Sequence, residues 1–207
     1  MLHKEIMTKE QIALLPLLKS FSRDFGLVGE TAIALHIGHR RSIDFDLFTK
    51  KEFDNLDIRQ KIAKFAKIER VITDQKDQYT VIIKGVRLTF LRYPYPITFT
   101  ESFENVIKIP DLLTLTAMKA QVLGRRAKWK DYVDFYFIIK NYCKIDEIVS
   151  KAKKIFSSEF NEKLLRVQMA YFKDVDYTEK VIYMKGFRTK DDIIRKFLTE
   201  KSLELKF

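Results

Sequence analysis

The chain has one cysteine, Cys143, in 207 residues. That excludes an intrachain disulfide and a zinc site built on cysteine pairs. Its three histidines, His3, His36 and His39, are too few and too scattered for a transition-metal site. No apolar run is long enough to span a bilayer. The opening residues, MLHKEIMTKE, lack the apolar core of a signal peptide, so a soluble cytoplasmic protein without membrane contact is expected. No Ser/Gly-rich linker, internal repeat or low-complexity segment interrupts the chain. Acidic residues are the minority: 28 Asp and Glu face 39 Lys and Arg, a net charge of +11. Such a field attracts polyanions, with RNA, DNA and nucleotides as the natural partners. A lysine-rich surface that only confers solubility is the competing explanation.

What is present suits a globular protein. Hydrophobic residues make up 46%, with 17 Phe and 9 Tyr to fill an interior. The length allows one sizeable core or two small subdomains. Residues 8–24 read as a helix with Thr8 as its cap, Gln11 three residues on, and Ile12, Leu15, Leu18 and Phe21 on one buried face. Pro16 should kink or break that helix. A strand over 25–28, a helix from Gly29 to Gly38, a strand over 42–49 and a helix over 50–67 follow, the last with Phe53, Ile58, Ile62 and Phe65 inward. Strands over 68–73, 79–84 and 86–93 come next, with Gly85 as a turn and Pro94 and Pro96 as a stop. The second half reads as helices over 111–126, 131–142, 145–156, 159–172 and 191–206. The expectation is an α+β (mixed α/β) fold: a small mixed sheet flanked by helices over residues 1–109, then a mostly helical region over 110–207.

The chemistry concentrates in GLVGETAIALHIGHRRSIDFDLFT, from Gly26 to Thr49. In an extended strand, residues i and i+2 share a face. Asp44 and Asp46 therefore lie side by side, with Ile43, Phe45 and Leu47 turned to a core. Two such carboxylates repel and need a cation or shifted pKa values, and a divalent ion held by oxygen ligands is one answer. Gly29, at the mouth of a helix, suits the approach of phosphate to backbone N–H groups.

Glycine, a small-residue turn, a helix and then Asp-x-Asp on the next strand resemble the first motif of the DNA polymerase β-type nucleotidyltransferases. TAIAL followed by GHRRSIDFDLF is similar to the AbiEii/AbiGii toxin-type branch, which serves bacterial abortive infection and toxin–antitoxin systems. The resemblance implies transfer of a nucleoside monophosphate from an NTP to an acceptor such as RNA or tRNA, and an antitoxin as protein partner. It also implies Mg²⁺ on Asp44 and Asp46, and nucleotide phosphates near Gly29, Thr31, Arg40 and Ser42.

A third segment, DLLTLTAMKAQVLGRRAKWKDYVDFYFI, resembles the family element in which a helical lysine precedes Arg, Lys and KDxxD. Here these are Lys119, Arg125 or Arg126, Lys128, Asp131 and Asp134. By resemblance Lys119 contacts a phosphate, and Asp131 or Asp134 orients the lysine or the acceptor. A lysine among Leu115, Val122 and Leu123 needs a partner, and an ion pair from Lys119 to Asp134 bracing two helices serves as well as a triphosphate. Two positions depart from the family pattern. Glu30 replaces a small residue in the phosphate turn, and Thr89 stands where a third carboxylate is expected. These departures admit a second function, a catalytically impaired fold that binds RNA or protein. A small-molecule acceptor is a third.

Overall fold

The computed structural model describes residues 2–123 and 126–204. The chain divides into two compact units between Asp111 and Leu112.

The first unit opens with a broken helix. Gln11 N donates to Thr8 Oγ1 at 3.2 Å, and Thr8 N donates to Gln11 Oε1 at 3.0 Å, which is a capping box for α1 (Lys9–Ala13). The helix stops at Leu14 and restarts as α2 (Leu15–Phe21), with Pro16 in the first turn, where its missing N–H has no intrahelical partner to lose. The break changes the helical register. Leu14, Leu15, Leu17, Leu18 and Phe21 are buried, whereas Ile12, expected inside, is exposed.

Strand β1 (Gly26–Val28) leads directly into α3 (Gly29–Ile37), which ends at Gly38 with φ +74°. That left-handed conformation is the usual helix stop for which glycine carries no steric penalty. Strand β2 (Phe45–Thr49) follows, and then α4 (Asn55–Ala63), capped by the Asp54 carboxylate accepting from Leu56 N at 2.8 Å. Ile58 and Ile62 of α4 are buried; Phe65 lies beyond the helix end and is exposed, contrary to expectation.

β3 (Arg70–Gln75), β4 (Gln78–Ile83) and β5 (Val86–Arg92) complete a five-stranded mixed sheet in the order β1-β2-β5-β4-β3. Only β2 and β5 among the neighbouring pairs run parallel. Register lines Leu27, Leu47, Phe90 and Tyr79 across one row, and Phe45, Leu88 and Val81 across another, all fully buried on one face. Phe21 and Phe25 pack edge-on against Phe90 at 4.8 and 5.3 Å. Between these rows, facing the other way, runs Val28, Asp46, Thr89 and Thr80. A short hairpin, β6 (Glu101–Phe103) and β7 (Ile107–Ile109), packs against β1 and α2.

The second unit is helical: α5 (Leu112–Leu123), α6 (Trp129–Asn141), α7 (Ile145–Phe156), α8 (Glu162–Ala170) and α9 (Asp191–Ser202). α5 packs on α7 and α8, and α9 closes over α6 and α8. The stretch before α9 is tied to the start of α6. Trp129 N donates to Asp176 O at 3.0 Å, Asp176 N donates to Ala127 O at 2.8 Å, and Tyr177 lies against Trp129 at 5.2 Å. No helix among the described residues is long and apolar enough to cross a membrane.

Candidate active site

Polar side chains position the segment that carries the acids. The Gln11 amide, fully buried, donates to Ser42 O at 3.0 Å. The Thr31 hydroxyl donates to the carbonyl of Asp44 and lies 2.9 Å from Ser42 Oγ. Regular pairing therefore starts at Phe45 rather than Ser42, because side chains from α1 and α3 hold residues 42–44 where a ladder would otherwise do so. Ile43, expected in the core, is exposed; the inward set begins at Phe45.

Beyond that anchor, half-buried and buried residues alternate. Asp44, Asp46 and Phe48 are half-buried while Phe45 and Leu47 are inaccessible. Asp46 pairs with Val28 on one side and Thr89 on the other. Asp44 makes an ion pair with Arg87 of β5, two residues before Thr89. Arg87 and Thr89 share a face, so Asp44 and Asp46 lie along the same side of the sheet. Gly29 approaches them from β1. Its φ is +72°, and a Cβ there would lie 2.2 Å from Asp46 Oδ2. Only a glycine lets the first turn of α3 come this close to the carboxylate.

The remaining residues of the motif lie beneath this surface. Arg40, expected to offer its planar fork to phosphate, has no exposed surface, and its Nη2 donates to Glu30 Oε2 at 3.0 Å. A guanidinium sealed against a carboxylate serves as an internal counter-charge. The same contact gives the Glu30 carboxylate a cationic partner in Arg40. Thr31 and Ser42, expected at the phosphates, are buried and grip the backbone leading to Asp44.

In the second unit, Lys119, Asp131 and Asp134 are brought together. Lys119 Nζ lies 2.5 Å from Asp131 Oδ1 and 2.8 Å from Asp134 Oδ2, with both carboxylates fully buried. Arg126 Nε stands 3.4 Å from the other Asp131 oxygen. The Lys119 side chain is 5% exposed, and its contacts with Asp131 and Asp134 brace α5 against α6. Arg125, the alternative to Arg126, lies outside the described residues. Lys128 pairs instead with Glu179 at 2.5 Å. Lys128 and Lys130 together hold the Glu179 carboxyl down at about 2 by hydrogen bonding.

Arg87 is the residue that reading the sequence missed. Period-2 alternation in VRLTFLR puts it on the side of Thr89, which is the signal that would have found it.

The small mixed sheet with its flanking helices and the helical second half recur in solved structures, two of which are named as nucleotidyltransferases. The chain superposes with a TM-score of 0.63 on a Helicobacter pylori protein provisionally classed as a nucleotidyltransferase, at 18% identity over 93% of this chain and 91% of that one. JHP933 from Helicobacter pylori gives 0.60 at 15% identity, covering 98% and 92%. MenT4, a nucleotidyltransferase toxin of Mycobacterium tuberculosis, gives 0.60 at 13% identity, covering 93% and 81%. In sequence, the chain is 30% identical over 161 residues to the uncharacterized protein aq_aa25 of Aquifex aeolicus, spanning 73% of this chain and 75% of that protein. The chain belongs to that protein's family. No family profile matches it.

Proposed function

We propose that this protein is a nucleotidyltransferase that moves a nucleoside monophosphate from an NTP to a hydroxyl acceptor. The observation that carries the reading is the pair Asp44 and Asp46 on one side of the sheet, with the Gly29 backbone against Asp46. Carboxylate oxygens are the donors Mg²⁺ prefers, so Asp44 and Asp46 fit as its ligands. Bound there, Mg²⁺ would offset triphosphate charge and stabilise the leaving oxygen. The first turn of α3 offers its N–H groups to the phosphates. The acceptor oxygen forms a bond to the α-phosphorus, and the bond from that phosphorus to the α,β-bridging oxygen breaks. Pyrophosphate leaves with the electron pair, and the acceptor's proton goes to water. Gln11, Thr31, Ser42 and the Glu30–Arg40 pair act as positioning residues, holding the acid-bearing segment at fixed height.

The reading extends to biology on two supports. One is the resemblance of the Gly26–Thr49 motif to abortive-infection toxins. The other is that one structural neighbour is a nucleotidyltransferase toxin. We infer a toxin paired with an antitoxin protein, acting on an RNA acceptor such as tRNA, which the charge of +11 favours. The unit ending at Asp111 carries the transfer chemistry, and the helical unit serves the acceptor.

Thr89 favours a second reading, since it puts a neutral hydroxyl beside Asp46. In that reading the fold binds RNA without transferring anything. One experiment separates the two: incubation of total RNA with each α-³²P-labelled NTP and Mg²⁺, using wild type and Asp44→Asn/Asp46→Asn. Labelling by wild type and background counts from the double variant are expected. Equal labelling by both refutes the transferase reading. No labelling by wild type, with RNA affinity that falls steeply with salt, turns the assignment to the binding module.

A further inference from the structure

Arg87 is the exposed cation beside the acidic pair. Its side chain is 47% accessible, and its Nη2 donates to Asp44 Oδ2. A guanidinium has five N–H donors in a rigid fork. No other hydrogen bond or ion pair of Arg87 occurs among the described residues, so most of the fork faces solvent.

Next to it the supply of acids is short. Among the described residues, no group of three or more His, Cys, Asp or Glu side chains is placed to hold a metal. Along this row Asp44 and Asp46 carry carboxylates, Thr89 carries a neutral hydroxyl, and Arg87 places a cation on Asp44 Oδ2.

We propose that the site takes a single divalent ion with its nucleotide, and that Arg87 supplies the second positive charge by exchanging Asp44 for a phosphate oxygen of the triphosphate. The inference rests on the nucleotidyltransferase reading above. Planar forks pair with phosphate oxygens bidentately, with strong charge-assisted hydrogen bonds. The exchange keeps the charge matched, because Asp44 gains the ion as it loses the guanidinium. Arg87 then touches substrate and is a catalytic residue, whereas Arg40 is a positioning one.

The test is Mn²⁺ titration of the full chain, followed by electron paramagnetic resonance and calorimetry, with and without the α,β-methylene analogue of each of the four NTPs. Wild type is expected to hold one Mn²⁺ per bound nucleotide. Arg87→Ala should move two affinities in opposite directions. Mn²⁺ alone binds about two- to fivefold tighter, since Asp44 loses an exposed competing cation. The Mn²⁺-nucleotide complex binds about 10- to 100-fold more weakly, since charge-assisted contacts are lost. Arg87→Lys restores the charge without the fork and recovers part of the second effect. A purely structural arginine would weaken both affinities or neither. Two ions per nucleotide in wild type, or nucleotide affinity unchanged in Arg87→Ala, overturns the inference while leaving the transferase reading intact. Asp44→Asn/Asp46→Asn binding Mn²⁺ as wild type does overturns the site itself, and Arg87's role with it.

Discussion

Gly29→Ala tests whether the first turn of α3 is built around Asp46. Alanine at φ +72° carries the left-handed penalty of about 1–2 kcal/mol. The added methyl would also lie 2.2 Å from Asp46 Oδ2, 3.1 Å from Cγ and 3.2 Å from Cβ, all inside ordinary contact distance. Asp46 is paired on both flanks, with Val28 and Thr89, so its backbone has no room to retreat. The carboxylate must rotate off its preferred rotamer, at about 0.5–1.5 kcal/mol. The total is a loss of about 1.5–3.5 kcal/mol in unfolding free energy, measured by urea denaturation. In an Asp46→Ala background the clash with Oδ2 and Cγ is gone, and Gly29→Ala should cost about 1 kcal/mol less. Mn²⁺ affinity of the single variant should fall too, although no carboxylate has been removed. Equal costs of Gly29→Ala in both backgrounds refute the close approach and the geometry drawn from it.

Lys119→Met takes the ammonium from two fully buried carboxylates, Asp131 and Asp134, and should destabilise the protein by about 3–5 kcal/mol. Asp131→Asn/Asp134→Asn added to it should restore much of the loss in urea midpoint, and a single-variant cost below about 1 kcal/mol contradicts the brace. The Glu179 carboxyl is lowered from 4.5 to about 2 by Lys128 and Lys130, so its contribution to stability is present above about pH 4.5 and is lost as pH falls toward 2. Glu179→Gln should flatten that part of the pH–stability curve; identical slopes for variant and wild type between pH 2 and 5 rule the contribution out. The pair is partly exposed, so the effect is small.

Local signals carried much of the fold. The Thr8–Gln11 capping box, the break at Pro16, the glycine stop at Gly38 and the helix Ile145–Phe156 all rest on neighbours within a few residues, where side-chain chemistry acts directly on backbone groups. The β6–β7 hairpin was not legible, because its turn places Glu104 and Asn105 at positive φ without a glycine to announce it. Phe65 misled because it continues an apolar period past the end of α4, and Ile12 because the break after α1 changes the helical register in which it was counted. Within the site, residue types and spacing identified the polar set but not its orientation. Glu30 and Arg40 are separated by all of α3, and only packing shows that one neutralises the other.

Arg40, Lys119 and Arg87 each sit on a carboxylate, and solvent access sorts their roles. Arg40 has no exposed surface, Lys119 is 5% exposed and Arg87 is 47% exposed. A buried ion pair has desolvated both partners, so removing one leaves a charge that neither water nor substrate can reach. An exposed pair gives its partners back to water at little cost and can trade one of them for a ligand. Arg40→Met should therefore cost about 3 kcal/mol of stability through the loss of the buried guanidinium from the Glu30 carboxylate. Arg87→Ala should cost less than about 1 kcal/mol and act on nucleotide affinity instead. The two variants measured together, by urea denaturation and by titration with a Mn²⁺-nucleotide complex, decide the matter. If Arg87→Ala destabilises the fold as much as Arg40→Met does, exposure has failed to separate brace from ligand, and Arg87 is a third structural counter-charge.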